Sequence, residues 1–182
     1  MGPNAAALRQ NAAGFLWLGL LLSSTLTLAE SFHAEMEQRA LEGLLLLPVS
    51  PIALYYGKAL ANWLQLALLG IGLIPIMVVL YDAGTTHVAM LVVIILLGTA
   101  GVSAMGTLYA AMTAQVRSRQ TLLPLLLFPL IVPALLASVK ATSLIILGDP
   151  MQQRGSWVRL LAAFDAIYWS ICGLLYGRVV DE

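Results

Sequence analysis

The chain has 182 residues, 60% of them hydrophobic and 10% charged, with nine basic and nine acidic side chains and a formal net charge of zero. A water-facing domain carries about 25% charged residues, so most of this surface must meet lipid, and the balanced charge leaves no basic footprint for nucleic acid. The single Cys172 excludes an intrachain disulfide and a cysteine-built metal site.

Crossing a hydrocarbon core of about 30 Å takes about 20 apolar residues as a helix. Five stretches reach that length: residues 12–29, 59–80 and 88–114 without a charge, 121–147 with Lys140, and 158–176 with Arg159 and Asp165. None alternates with period two, which argues against barrel strands. The expected fold is all-α, a polytopic transmembrane helix bundle forming one domain over residues 1–182. No secretory signal fits the first apolar run, which lacks a basic leader with a clear cleavage site and is followed by further spans.

Between the first two spans lies a charged insert, residues 30–58, reading ESFHAEMEQRALEGLLLLPVSPIALYYGK. It holds four of the nine carboxylates and one of the two histidines. Glu35, Arg39 and Glu42 are spaced four and three apart, so they share one helix face. Leu41, Leu44 and Leu45 make an apolar face, and a helix there ends before Pro48. Two readings fit an amphipathic surface helix of this kind: a coupling helix docked in a groove of an ATPase subunit, or an interfacial helix that only lies on the membrane. The chain has no G-x-x-x-x-G-K-[ST] loop, so any ATP is hydrolysed by a partner.

The later connectors are short. Residues 81–87 (YDAGTTH) carry no Lys or Arg, whereas residues 115–120 (QVRSRQ) carry Arg117 and Arg119. The positive-inside rule puts the insert, QVRSRQ and the tail in the cytoplasm, collecting Arg39, Lys58, Arg117, Arg119 and Arg178. Arg9, Arg154, Arg159 and, near its end, Lys140 fall on the other side. Five spans then leave the N-terminus outside, and this odd count creates the expectation of an upstream helix that this chain lacks.

Within the spans, Lys140 and Asp165 lie equally far from the centre of the loop between the last two helices. Two antiparallel helices would set them at one depth, and intramembrane charges pair or face water. A Lys140–Asp165 salt bridge is therefore expected. The alternative is a snorkelling Lys140 and an Asp165 facing a wet outer cavity, and three prolines in 121–147 could break that helix and spoil the depth count. Thr99, Ser103, Thr107 and Ala111 recur every four residues beside Gly98, Gly101 and Gly106, which favours close helix packing over a substrate path. His33, in the insert, reads as solvated, and His87, on the outer side beside Thr85 and Thr86 without a flanking aromatic platform, is a weak candidate heme ligand. Tyr55, Tyr56, Tyr81 and Trp157 sit where aromatic belts are expected. There is no Ser-His-Asp set, no H-E-x-x-H and no pair of intramembrane carboxylates, so no catalytic residues are assigned.

The run EMEQRALEGLLLLPVSP at 35–51 contains Glu35, Glu37, Arg39, Leu41, Glu42, Gly43, Leu44 and Pro48. It resembles the pattern after the second transmembrane helix of ABC-2-type permeases: acidic residues, a small residue, Leu-Glu, a leucine run and a proline. GKALANWL at 57–64 is similar to the start of the third helix in the heme exporter B (CcmB) family, and PLLLFPLIVP at 124–133 to that family's proline-punctuated fifth helix. The resemblance runs from about residue 11 to the end. It implies six helices with both termini cytoplasmic, of which this chain lacks the first, and an ATPase-coupling role for the eight residues named in 35–48. It further implies a permease subunit in the bacterial or organellar inner membrane, acting in heme handling for c-type cytochrome maturation. The implied partners are a CcmA-like ATPase, CcmC-like and CcmD-like membrane subunits and, indirectly, a CcmE-like heme chaperone, besides membrane lipid. Two such chains, or this chain with a different permease, would form the core. Heme would be a substrate, ATP would be used by the partner, and no cofactor is expected in the chain itself. The rival readings are an ABC-2 permease for a lipid, polysaccharide or drug, and a membrane scaffold that transports nothing.

Overall fold

Apolar runs of this length cannot leave main-chain amides unpaired in hydrocarbon, so each closes its own hydrogen bonds as a helix. The computed structural model describes residues 3–37, 50–81, 87–113 and 119–180, with side chains described at 7–28, 50, 52–80, 87–112 and 131–176. The described residues form five helices and no strand: α1 (Pro3–Glu37), α2 (Pro51–Tyr81), α3 (Val88–Thr113), α4 (Arg119–Leu147) and α5 (Arg154–Val180). Four stretches are long and apolar enough to cross a membrane, Ala7–Leu28, Ile52–Leu80, Val88–Met112 and Arg154–Tyr176, while the described apolar part of α4 is Ile131–Leu147.

The helix ends follow from local chemistry. Pro51 opens α2, where its missing N–H would have had no helical partner. Ser50 caps that helix, its Oγ accepting from Ala53 N at 3.3 Å and its carbonyl from Leu54 N at 3.2 Å. Gly148 follows α4 at φ 100°, in the left-handed region that a side chain resists. Asp149 then caps α5, with Oδ1 accepting from Gln153 N at 2.8 Å and Oδ2 from Arg154 N at 2.9 Å.

Two boundaries differ from those read in the sequence. α1 continues without a break past residue 29 to Glu37. At 1.5 Å per residue, 7–28 covers about 33 Å and the remainder adds about 13 Å, so the helix outruns the hydrocarbon core. At the other end of the expected insert, residues 51–58 are already the first two turns of α2. The insert is thus helical at both ends as a continuation of its neighbours, and its middle, residues 38–49, lies outside the described residues. The prolines of α4 do not break it either. The helix runs unbroken through Pro124, Pro129 and Pro133, and α2 likewise tolerates Pro75.

α3 sits at the centre and touches the other four helices, which ring it in the order α1, α2, α5, α4. Residues 101–108 are buried on every side of α3. A helix enclosed all round needs small residues so that its neighbours can approach, and α3 supplies Gly98, Gly101, Ser103, Ala104 and Gly106. Large side chains from the ring fill two of those notches, Trp17 at Gly98 and Leu28 at Gly106. Trp17, Tyr55, Leu28, Ile131, Leu161 and Tyr176 are all fully buried.

Candidate functional site

The polar groups of the described bundle gather on α3. Its small residues expose main-chain carbonyls, and three aromatic donors reach them at a regular spacing of four. Trp63 Nε1 of α2 donates to Leu96 O at 2.9 Å, Trp169 Nε1 of α5 to Ala100 O at 3.2 Å, and Tyr55 OH of α2 to Ala104 O at 3.0 Å. The hydroxyl column noted in the sequence is used in the same way. Ser103 Oγ donates to Ala59 O of α2 at 2.7 Å, Thr107 Oγ1 accepts from Asn62 Nδ2 at 3.1 Å, and Thr99 Oγ1 bonds back to Ile95 O at 2.7 Å. Ser103 and Thr107 thus fasten α3 to α2, the packing role favoured by their spacing, while the Thr99 bonds stay within α3.

The glycines mark where the ring presses in. A Cβ on Gly98 would lie 2.1 Å from Trp17 Cη2 and 2.6 Å from Ser138 Oγ; on Gly106 it would lie 2.3 Å from Leu28 Cδ1. Trp17 is itself fixed, with Nε1 donating to Thr142 Oγ1 of α4 at 2.9 Å. α1, α3 and α4 therefore close on one another at Gly98. On α5, Gly173 is overlain by the Tyr56 ring, whose hydroxyl oxygen would be 2.6 Å from a Cβ there.

Next to the insert, the first turns of α2 hold an aromatic cluster. Tyr56 stacks on Trp169 with centroids 5.9 Å apart and 11° between planes, and its OH donates to Trp169 O at 3.1 Å. Tyr55 packs on Tyr56 at 5.2 Å and on Tyr176 at 5.4 Å. Tyr55 is fully buried and Tyr56 half-buried, so these two are core residues and not the interfacial belt expected from their position. The sequence signal lay in their spacing: Tyr55, Ala59, Asn62 and Leu66 are separated by four, three and four residues, and all four are buried. Lys58, drawn in the sequence as the end of a solvated insert, is buried on this same helix.

The expected Lys140–Asp165 bridge is not made. Lys140 lies on the exposed side of α4 with Leu136 and Val132, one and two turns before it. Asp165 lies on the buried side of α5 with Leu161, Tyr168 and Cys172. Neither of its carboxylate oxygens has a hydrogen-bond partner. The two helices turn these side chains in different directions, Lys140 outward and Asp165 inward.

Most of the remaining residues singled out in the sequence fall outside the described set. Glu35 and Glu37 belong to the last turn and a half of α1, with side chains outside the described set; Arg39, Leu41, Glu42, Gly43, Leu44 and Pro48 lie outside the described residues altogether. His33 is on α1, and His87 is exposed at the start of α3. Among the described residues no three His, Cys, Asp or Glu side chains gather to hold a metal.

Comparison with known proteins decides the family. Residues 1–175 match the family described as CcmB protein. The chain belongs to the CcmB family. Heme exporter protein B of Rhodobacter capsulatus is 37% identical over 136 residues, which is 75% of this chain and 62% of that protein. Its namesake from Pseudomonas aeruginosa is 28% identical over 163 residues, 90% of this chain and 73% of that protein. The Bradyrhizobium diazoefficiens protein of the same name is 32% identical over 149 residues, covering 81% and 67%. The CcmB chain therefore spans about three fifths to three quarters of these relatives, and it is a multi-pass membrane protein of a transport family.

Proposed function

We propose that this chain is the permease subunit of an ABC transporter complex in the bacterial or organellar inner membrane, handling heme for c-type cytochrome maturation. The observation that carries the reading is the CcmB match over residues 1–175, together with relatives whose name is heme exporter protein B. A separate CcmA-like ATPase supplies the power, and CcmC-like and CcmD-like membrane subunits and a CcmE-like chaperone complete the heme route. The mechanism is mechanical. ATP binding and hydrolysis in the partner displace the region around Glu35, Glu37, Arg39, Leu41, Glu42, Gly43, Leu44 and Pro48. That region leads directly into α2, whose opening turns carry Tyr55 and Tyr56. Their hydrogen bonds to Ala104 O and Trp169 O pass the displacement to α3 and α5.

The test uses the complex in its own membrane. Glu42→Lys and Pro48→Ala are expected to reduce the amount of ATPase that co-purifies with the chain while leaving the chain in the membrane. Unchanged ATPase recruitment in both variants would refute coupling through this segment and favour a scaffold. Co-purification of CcmC-like and CcmE-like proteins is expected for the heme route; a complex without them would favour an ABC-2 permease for another cargo.

A further inference from the structure

Asp165 is the described carboxyl that the packing leaves unexplained. It is 8% exposed, and neither oxygen has a hydrogen-bond partner. Its place in the bundle is central. It stands eleven residues from the start of α5 at Arg154 and fifteen from its end at Val180, about 16 Å and 22 Å along the axis. Oδ1 lies 2.8 Å from where a Cβ on Gly101 would be, and Gly101 is itself midway along α3. The glycine makes the room: alanine at 101 would push against the carboxyl.

An unpaired charge held in this setting is costly, so the group needs a positive partner or loses its charge. The described cations do not provide one. Lys140 is on the exposed side of α4. Arg9 of α1 donates to Ile146 O at the far end of α4, at 3.2 Å. Lys58 lies seven residues into α2, toward the insert, and is engaged elsewhere. A multivalent metal has no ligand set among the described residues. What can reach a carboxyl with both oxygens sealed in this way is a proton.

We propose that Asp165, cradled by Gly101, binds and exchanges a proton at mid-depth of the bundle. Occupancy then sets the fit between α5 and α3, because loss of the proton leaves a bare charge between those two helices. This proposal stands apart from the coupling of the insert to an ATPase. The titratable neighbours are few among the described residues. α5 carries Tyr168 and Cys172 on the buried side with Asp165, while farther groups facing inward are Tyr55 and Lys58 on α2 and the half-buried Tyr109 on α3. α4 offers only Lys140, facing away, and α1 only Arg9, at the other end.

The experiment takes the full chain in lipid nanodiscs and treats it with dicyclohexylcarbodiimide, which adds to protonated carboxyls in apolar surroundings. Peptide mass spectrometry then locates the adduct. The expected result is an adduct at Asp165 that falls at least tenfold from mildly acid to mildly alkaline pH, and that sodium or potassium at fixed pH does not reduce. Protection by either salt at fixed pH would overturn the proton in favour of an alkali ion. Infrared spectroscopy covers the case in which the reagent cannot enter. The wild-type protein should show the carbonyl band of a protonated acid that disappears in Asp165→Asn. Absence of both the adduct and that band would overturn the proposal.

Discussion

Gly98→Ala tests the packing at the point where α1 and α4 close on α3. In an open helix interior the exchange stabilises by about 0.5–1 kcal/mol, because alanine has less chain entropy to lose. At Gly98 the new Cβ would meet Trp17 Cη2 at 2.1 Å, Cζ3 at 2.7 Å and Ser138 Oγ at 2.6 Å. The indole cannot bend aside, and it is held at its other end by the 2.9 Å bond from Nε1 to Thr142 Oγ1. Overpacking of this kind costs about 1–3 kcal/mol, and loss of an interhelical hydrogen bond in a membrane adds about 0.6 kcal/mol. Offset by the helix gain, the net loss is roughly 1–3 kcal/mol. Gly72→Ala is the control, since nothing lies within 4 Å of its Cβ position, and it should stabilise. Cys172 is the chain's single thiol and is fully buried, so its reaction with a thiol dye reports opening of the bundle. A loss of 1–3 kcal/mol raises the open population about 5- to 150-fold, and labelling of Gly98→Ala should accelerate by that factor while Gly72→Ala slows. Equal labelling of Gly98→Ala and wild type, or a change of the same sign in both variants, would refute the tight contact.

The bond from Asn62 Nδ2 to Thr107 Oγ1 is buried between α2 and α3; a double-mutant cycle of Asn62→Ala and Thr107→Val in the same labelling assay should give a coupling of about 0.6 kcal/mol, and a coupling near zero would show that the bond does not hold these helices. Lys140→Met should change stability by less than about 0.5 kcal/mol and show no coupling to Asp165→Asn, because Lys140 is exposed and Asp165 has no partner; a coupling above about 1 kcal/mol would mean that the pair forms after all.

The all-helical fold was legible because length and hydropathy alone decide it. Twenty apolar residues without a water-facing pattern have one stable backbone solution in lipid. Direction around the helix axis was not legible. In a soluble helix the apolar stripe marks the inner face, but lipid is as apolar as a core, so leucines appear on both sides: Leu64 and Leu68 of α2 are exposed while Leu66 is buried. The Lys140–Asp165 expectation failed for this reason, and so did the belt assignment of Tyr55 and Tyr56. The prolines, weighed as a possible break, leave the expected span at 121–147 intact. Neighbouring groups in a membrane bundle compensate for a missing N–H, so α4 keeps its course through three of them.

What does mark the inner face here is polarity and smallness. The buried polar set on α2 and α3 (Lys58, Asn62, Thr99, Ser103, Thr107) and the glycines that meet Trp17, Leu28 and Asp165 all point inward. That rule has a consequence for how force would travel. α1 and α5 stand on opposite sides of α3 in the ring. A displacement entering at the start of α2 reaches α5 directly, through the Tyr56–Trp169 stack and its hydrogen bond. One entering along α1 reaches α5 through an intermediate helix, α2, α3 or α4, for example across Gly98 and the Trp17–Thr142 bond. On the proposed coupling, the two ends of the insert would act on the bundle with different leverage, the α2 end being the one joined directly to the helix that carries Asp165.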